Sequence, residues 1–161
     1  MACPKYPKEP TQIKTEHTEK GCIHWFDFED SDPIIRSQKA RPYIIISRNN
    51  PKSLRVVICP ISDIKNYYER ETTKLKYPYH ASLFKKDYQF LEKDSAVLLD
   101  QVYTISKDEL CEEWYLGKIT DCFVIDMALT YNYDMFESIS QAYKELINQL
   151  PKSHMSGFSR Q

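Results

Sequence analysis

Only three glycines occur in this chain, which excludes a glycine-rich loop of the kind that cradles phosphates in many nucleotide-binding folds. No internal repeat stands out. No apolar run approaches the roughly 20 residues a membrane-spanning helix needs, and the start Met1-Ala2-Cys3-Pro4-Lys5 lacks the apolar core of a signal peptide. The expectation is a cytoplasmic protein without membrane contact. Cys3, Cys22, Cys59, Cys111 and Cys122 are odd in number and contain no C-x-x-C spacing, so neither a disulfide framework nor a zinc site is indicated. Buried reduced thiols are expected, with no metal and no cofactor.

Carboxylates are missing from one long stretch. From Arg36 to Ser62 every charge is positive: Arg36, Lys39, Arg41, Arg48, Lys52 and Arg55. From Asp108 to Glu137 acids outnumber Lys118, so the formal net charge of -1 conceals a basic stretch suited to a polyanion and an acidic one. Ordinary solvated surface is the alternative reading of both.

At 161 residues and 42% hydrophobic composition, the chain supports one core and a single domain. Residues 1–19, rich in Pro, Lys, Glu and Thr, read as a flexible extension; residues 20–150 form the domain, and 151–161 a flexible tail. Cys22 to Phe28 suits a first strand, and the polar Glu29 to Ala40 reads as a loop. Tyr43–Ile46 and Leu54–Ile58 are apolar runs joined by Asn49-Asn50-Pro51, which predicts an antiparallel hairpin with both faces buried. Asp63 to Tyr77 is a polar link, Tyr79 to Phe84 and Ser95 to Val102 are strands, and Ser106 with Glu109 fits a capping box. Trp114 to Ile119 returns to strand. Apolar residues from Ile125 to Ile147 then recur at helical spacing, in a long or broken helix limited by Pro151. The fold class is α+β and β-rich.

Within this frame, Gly21 to Phe28, Arg41-Pro42 with its apolar strand, Cys59-Pro60-Ile61-Ser62, Leu99-Asp100-Gln101-Val102 and Gly117-Lys118-Ile119 follow one another in an order and spacing that resemble the MazF/PemK family of toxins. The resemblance covers about Lys20 to Ala128. It implies an SH3-like barrel of antiparallel strands with short helices and a C-terminal helix, a homodimer, and a sequence-specific endoribonuclease that cuts single-stranded RNA without a metal. It also implies a cognate antitoxin with a disordered acidic and apolar segment, and DNA binding together with that antitoxin. The family's catalytic arginine and threonine carry over to Arg41 and Ser62. In the PemK branch a carboxylate also takes part, at Asp100 here, while its companion arginine is Leu98 in this chain. Cys22 and the segment Ser37-Gln38-Lys39 also depart from the family pattern.

Arg41 suits phosphate stabilisation, because its planar fork donates two parallel hydrogen bonds and stays charged. Ser62 would bind the scissile phosphate or orient the 2'-OH; it equally fits a turn-forming serine before Asp63. Candidates for RNA binding are Gln38, Lys39, Lys65, Tyr67, Gln101 and His80. Around Lys65 and Tyr67, cations interleave with tyrosines as single-strand recognition uses them; a tyrosine-shielded surface loop is the plainer alternative. Gln101 reads a base edge or pins a strand end, and His24 and His80 are either satisfied core residues or groups titrating near neutrality. Two other function classes stay open: a binding toxin like the gyrase poison CcdB, and a noncatalytic barrel.

Overall fold

The computed structural model describes residues 3–28 and 32–149. Seven antiparallel strands form one curled sheet: β1 (Cys22–Phe26), β2 (Arg41–Ile45), β3 (Arg55–Asp63), β4 (His80–Leu83), β5 (Ser95–Leu98), β6 (Tyr103–Ser106) and β7 (Tyr115–Lys118). Their order is β4-β5-β3-β2-β1-β7, with β6 also on β3. β3 is the hinge of the curl. One of its edges holds β2, while the other pairs first with β6 through Arg55–Ile58 and then with β5 through Ile61–Asp63. Among the described residues, three α-helices complete the fold: α1 (Pro33–Lys39), α2 (Phe123–Asn132) and α3 (Phe136–Gln149). The result is an α+β barrel-like sheet, and no helix among the described residues is long and apolar enough to cross a membrane.

The hairpin of β2 and β3 forms, and both its faces are covered, but the expected run is corrected at Leu54, which precedes β3 and is 74% exposed. Ile44, Cys59 and Ile61 point into the barrel with Ile23, Val97, Leu99 and Ile125, while Tyr43, Ile45, Val56 and Ile58 pack on the outer side with Phe26 and Ile105. This two-sided burial is why the runs are continuously apolar. Ser47 closes the hairpin by accepting the Val57 N–H at 2.9 Å. Gly21 leads into β1 at φ +93°, and a Cβ there would stand 3.0 Å from the Ile119 carbonyl oxygen. Glycine alone takes both the left-handed backbone and the close approach to β7.

Two expectations are corrected, and one left open is decided. The loop expected over Glu29 to Ala40 contains α1, because Asp32 Oδ1 accepts the Ile34 N–H at 2.8 Å and Pro33 stands in the first turn, where its missing N–H costs nothing. The flexible extension expected over residues 1–19 is, for its described residues, laid along the sheet. Trp114 Nε1 donates to the Pro4 carbonyl at 3.0 Å, the Tyr6 ring meets Trp114 edge-on, Gln12 bridges Cys111, and Glu113 accepts the Thr11 N–H. The terminal helix is broken: Asp134 at φ +52° separates α2 from α3. Ile125 and Ala128 of α2 enter the core, and no side chain of α3 is buried. The capping box is present, but it starts a single 3₁₀ turn over Lys107–Glu109. The expected tail 151–161, with Pro151, lies outside the described residues.

His24 on β1 is buried, with Nε2 donating to the His17 carbonyl at 2.7 Å. Burial pushes its pKa down from 6.5 to about 4. An unfolded chain therefore takes up a proton there below pH 6.5 that the folded chain refuses until about pH 4, and folding stability drains away as pH falls through that window. The loss amounts to at most about 3 kcal/mol. His24→Gln is expected to remove this contribution, so that melting temperatures of wild type and variant, followed from pH 7 to 4, converge on acidification.

Candidate active site

Arg41 opens β2 and Ser62 lies near the end of β3. The β2–β3 register pairs Tyr43 with Pro60; counting two residues on brings Arg41 level with Ser62, and strand alternation gives both the same face as Tyr43. The Arg41 guanidinium is exposed and sits 5.9 Å from the centre of the Tyr43 ring, a cation–π contact that limits where its fork can point. Tyr43 itself is buried, which raises its phenol pKa, while the neighbouring Arg41 lowers it. Ser62, half-buried, pairs across to Ala96 on β5. It borders a cavity of about 370 Å3 walled by Trp25, Pro42, Phe90 and Leu91.

At the mouth of this cavity Asp63 and Lys93 form an ion pair of 3.1 Å. The Lys65 N–H, followed by Lys93, holds the Asp63 carboxyl below its ordinary value. Sequence reasoning did not single out Trp25, Asp63 or Lys93. The only signal for Trp25 was its place in an aromatic strand, and nothing local couples Lys93 to a residue thirty positions earlier.

Asp100 stands apart from this pair. On β5 Ala96 faces Ser62; Leu98 is about 7 Å further along the strand, and Asp100 lies beyond it in the turn. There it accepts a hydrogen bond from His80 Nε2 at 3.2 Å. His80 is directly opposite Leu98 in the register, so the partner to the carboxylate comes from the neighbouring strand. Nδ1 of the buried His80 has no hydrogen-bond partner among the described residues. The rings of Tyr67, Tyr77 and Tyr79 surround it edge-on.

Between Ser62 and Asp100, the segment after β3 covers the sheet. Ile64, Tyr67 and Tyr68 pack on Ala96 and Leu98, so Tyr67 is half-buried, whereas Lys65 projects into solvent. Gln38 and Lys39 are exposed at the end of α1, immediately before Arg41. Gln101 is half-buried after Asp100, its N–H bonded to the Leu98 carbonyl. The basic stretch does not form one face: Arg36, Lys39 and Arg41 are gathered at the start of β2, and Arg48, Lys52 and Arg55 lie past its far end. Arg36 stacks on the Tyr6 ring at 4.4 Å.

Residues 19–128 match the family model described as PemK-like, MazF-like toxin of type II toxin-antitoxin system. A curated Endoribonuclease MazF from Staphylococcus epidermidis is 33% identical over 104 residues, covering 62% of this chain and 80% of that protein. Endoribonuclease EndoA from Bacillus subtilis is 28% identical over 112 residues, or 63% of this chain and 90% of its own length. Among solved structures, an endoribonuclease in complex with its cognate antitoxin from a mycobacterial species superposes with a TM-score of 0.51 at 24% identity, over 73% of this chain and 95% of that one. That last likeness shows the fold.

Proposed function

Because this chain belongs to the PemK-like, MazF-like toxins of type II toxin-antitoxin systems, we propose that it is a sequence-specific endoribonuclease that cuts single-stranded RNA in the cytoplasm without a metal. What supports this reading is the hairpin register, which continued two residues past the Tyr43–Pro60 pair sets Arg41 opposite Ser62, with Ser62 bordering a cavity with aromatic walls.

Metal-free RNA cleavage uses the neighbouring 2'-OH as nucleophile. Its oxygen bonds to phosphorus and gives up its proton, the bond to the 5'-oxygen breaks, and that oxygen takes a proton. The products are a 2',3'-cyclic phosphate and a 5'-hydroxyl. Arg41 stabilises the charge of the phosphorane, acting where charge develops. Ser62 hydrogen-bonds the phosphate or orients the 2'-OH. Asp100, held by His80, meets the RNA further along the same face and serves proton transfer or positioning from there. Exposed Lys65 and Lys39 contact phosphates, while Gln38 and Gln101 present amides to base edges. The partners of this reading are a second copy of the chain and an antitoxin whose disordered acidic and apolar segment displaces RNA from the groove.

The test is cleavage of a long single-stranded RNA in EDTA, with both product ends mapped. Discrete cuts carrying 5'-hydroxyl and cyclic-phosphate ends are expected, and a 2'-deoxy nucleotide at the cut position will abolish them. Cleavage of the deoxy substrate, or none at all by the folded protein, overturns the proposal.

A further inference from the structure

The family match begins at residue 19, so the arm ahead of it is an addition to that pattern, and it runs to both sides of the candidate site. Pro4 helps to wall the cavity beside Ser62. Two residues on, Tyr6 reaches α1. The Arg36 guanidinium lies 4.4 Å from the centre of the Tyr6 ring, and the Tyr6 N–H donates to Ser37 Oγ at 2.6 Å. Trp114, itself in the core, meets the same ring edge-on with centroids 4.8 Å apart. Tyr6 thus joins a surface helix to the core.

α1 needs such an anchor. It is seven residues long and buries no side chain, and a helix this short does not hold its shape alone in water. Its last turn carries Gln38 and Lys39, and the Ala40 N–H that ends it bonds to the carbonyl of Arg36, the residue whose side chain lies on Tyr6. Arg41 is placed differently. It pairs with Phe26 in the β1–β2 register, so the sheet fixes it whether or not α1 is held.

We propose that Tyr6 is a positioning residue for RNA binding: through Arg36 and Ser37 it fixes α1 and so presents Gln38 and Lys39 to the substrate. This rests on the ribonuclease reading. Groups that hold substrate equally in the ground and transition states change KM and leave kcat alone. Loosening α1 therefore weakens RNA binding, while the step that Arg41 serves keeps its rate. Tyr6→Ala is expected to raise KM about fivefold or more, since Gln38 and Lys39 must then be ordered on binding, with kcat within about twofold of wild type. Tyr6→Phe, which keeps the ring against Arg36 and Trp114, is expected to restore the wild-type KM.

The test uses the full chain and a single-stranded RNA spanning one mapped cut, with kcat and KM measured for wild type, Tyr6→Ala, Tyr6→Phe and Arg36→Met. Arg36→Met leaves the contact between Tyr6 and Trp114 in place, so it decides the matter if Tyr6→Ala fails to fold. It should raise KM by itself and raise it no further in the Tyr6→Ala background, because both changes act through one contact. Hydrogen exchange without RNA gives a readout separate from cleavage: Tyr6→Ala should speed exchange of the α1 amides about tenfold and leave those of β2 and β3 at wild-type rates. Three results overturn the proposal while wild type still cleaves, and so leave the ribonuclease reading standing. They are a wild-type KM or wild-type α1 exchange in Tyr6→Ala, or a wild-type KM in Arg36→Met; a loss carried by kcat; and effects of the two substitutions that simply add, which would make Arg36 a direct phosphate contact. A folded wild type that cuts no RNA overturns both.

Discussion

Arg41→Ala will lower the rate of RNA cleavage by at least about a hundredfold, the usual cost of deleting one donor aimed at developing charge, on the order of 3 kcal/mol. Its melting temperature should stay within a degree or two of wild type. The two halves of this expectation rest on different features. The side chain is exposed at the first residue of β2, and its contact with Tyr43 is a cation–π pair at 5.9 Å, worth about 0.5–1 kcal/mol at an exposed site. Folding therefore loses little. Arg41→Lys is the sharper control, since it keeps the charge and removes the fork; it should recover only a small part of the rate. An Arg41→Ala protein that cleaves at the wild-type rate would exclude Arg41 from the chemistry. Loss of activity together with a large fall in melting temperature would assign it a structural role instead.

The second large effect is on stability. Trp114→Ala should cost about 3–5 kcal/mol, the range for emptying a large aromatic site in a packed core, and lower the melting temperature by roughly 10 °C or more. Trp114 is 2% exposed. Its ring meets Tyr6 with centroids 4.8 Å apart, and its Nε1 binds the Pro4 carbonyl. The substitution thus opens a cavity and releases the start of the chain together, so limited trypsin digestion should cut at Lys5 and Lys8 faster than in wild type. A melting temperature within 3 °C of wild type would show that the N-terminal segment contributes little to the fold.

What could be read from residue order was whatever is settled by near neighbours. The hairpin follows from two apolar runs and a turn, and the capping box from Ser106 and Glu109. Arg41 and Ser62 were picked out by the resemblance of the motifs around them, and their role in catalysis belongs to the proposal. The losses have one common cause, a partner distant in sequence. The first nineteen residues look unable to fold because nothing apolar recurs among them; Trp114, Glu113 and Glu112, which hold Pro4, Thr11 and Lys14, are about a hundred positions later. His80 looked like an isolated histidine because the pairing of β4 with β5, which delivers it to Asp100, is invisible in composition. The basic stretch suited either a polyanion or ordinary solvated surface, and the hairpin turn carries half of it to the opposite end. α1 was hidden for a different reason: Asp32-Pro33 is a helix start, but polar surroundings concealed it.

β1 is held on one side by β2 and on the other by β7, and the first residues lie against Cys111 to Trp114. During synthesis the amino end must therefore wait. Neither its strand nor its leading segment can be completed until almost all of the sheet has left the ribosome, because the contacts that close it span separations of 102 and 110 residues. Such long-range closure is slow compared with local helix formation. Arg41 and Ser62 emerge early, together with the hairpin whose register sets them level. A chain that stops before β7 keeps that hairpin but leaves the outer edge of β1 unpaired.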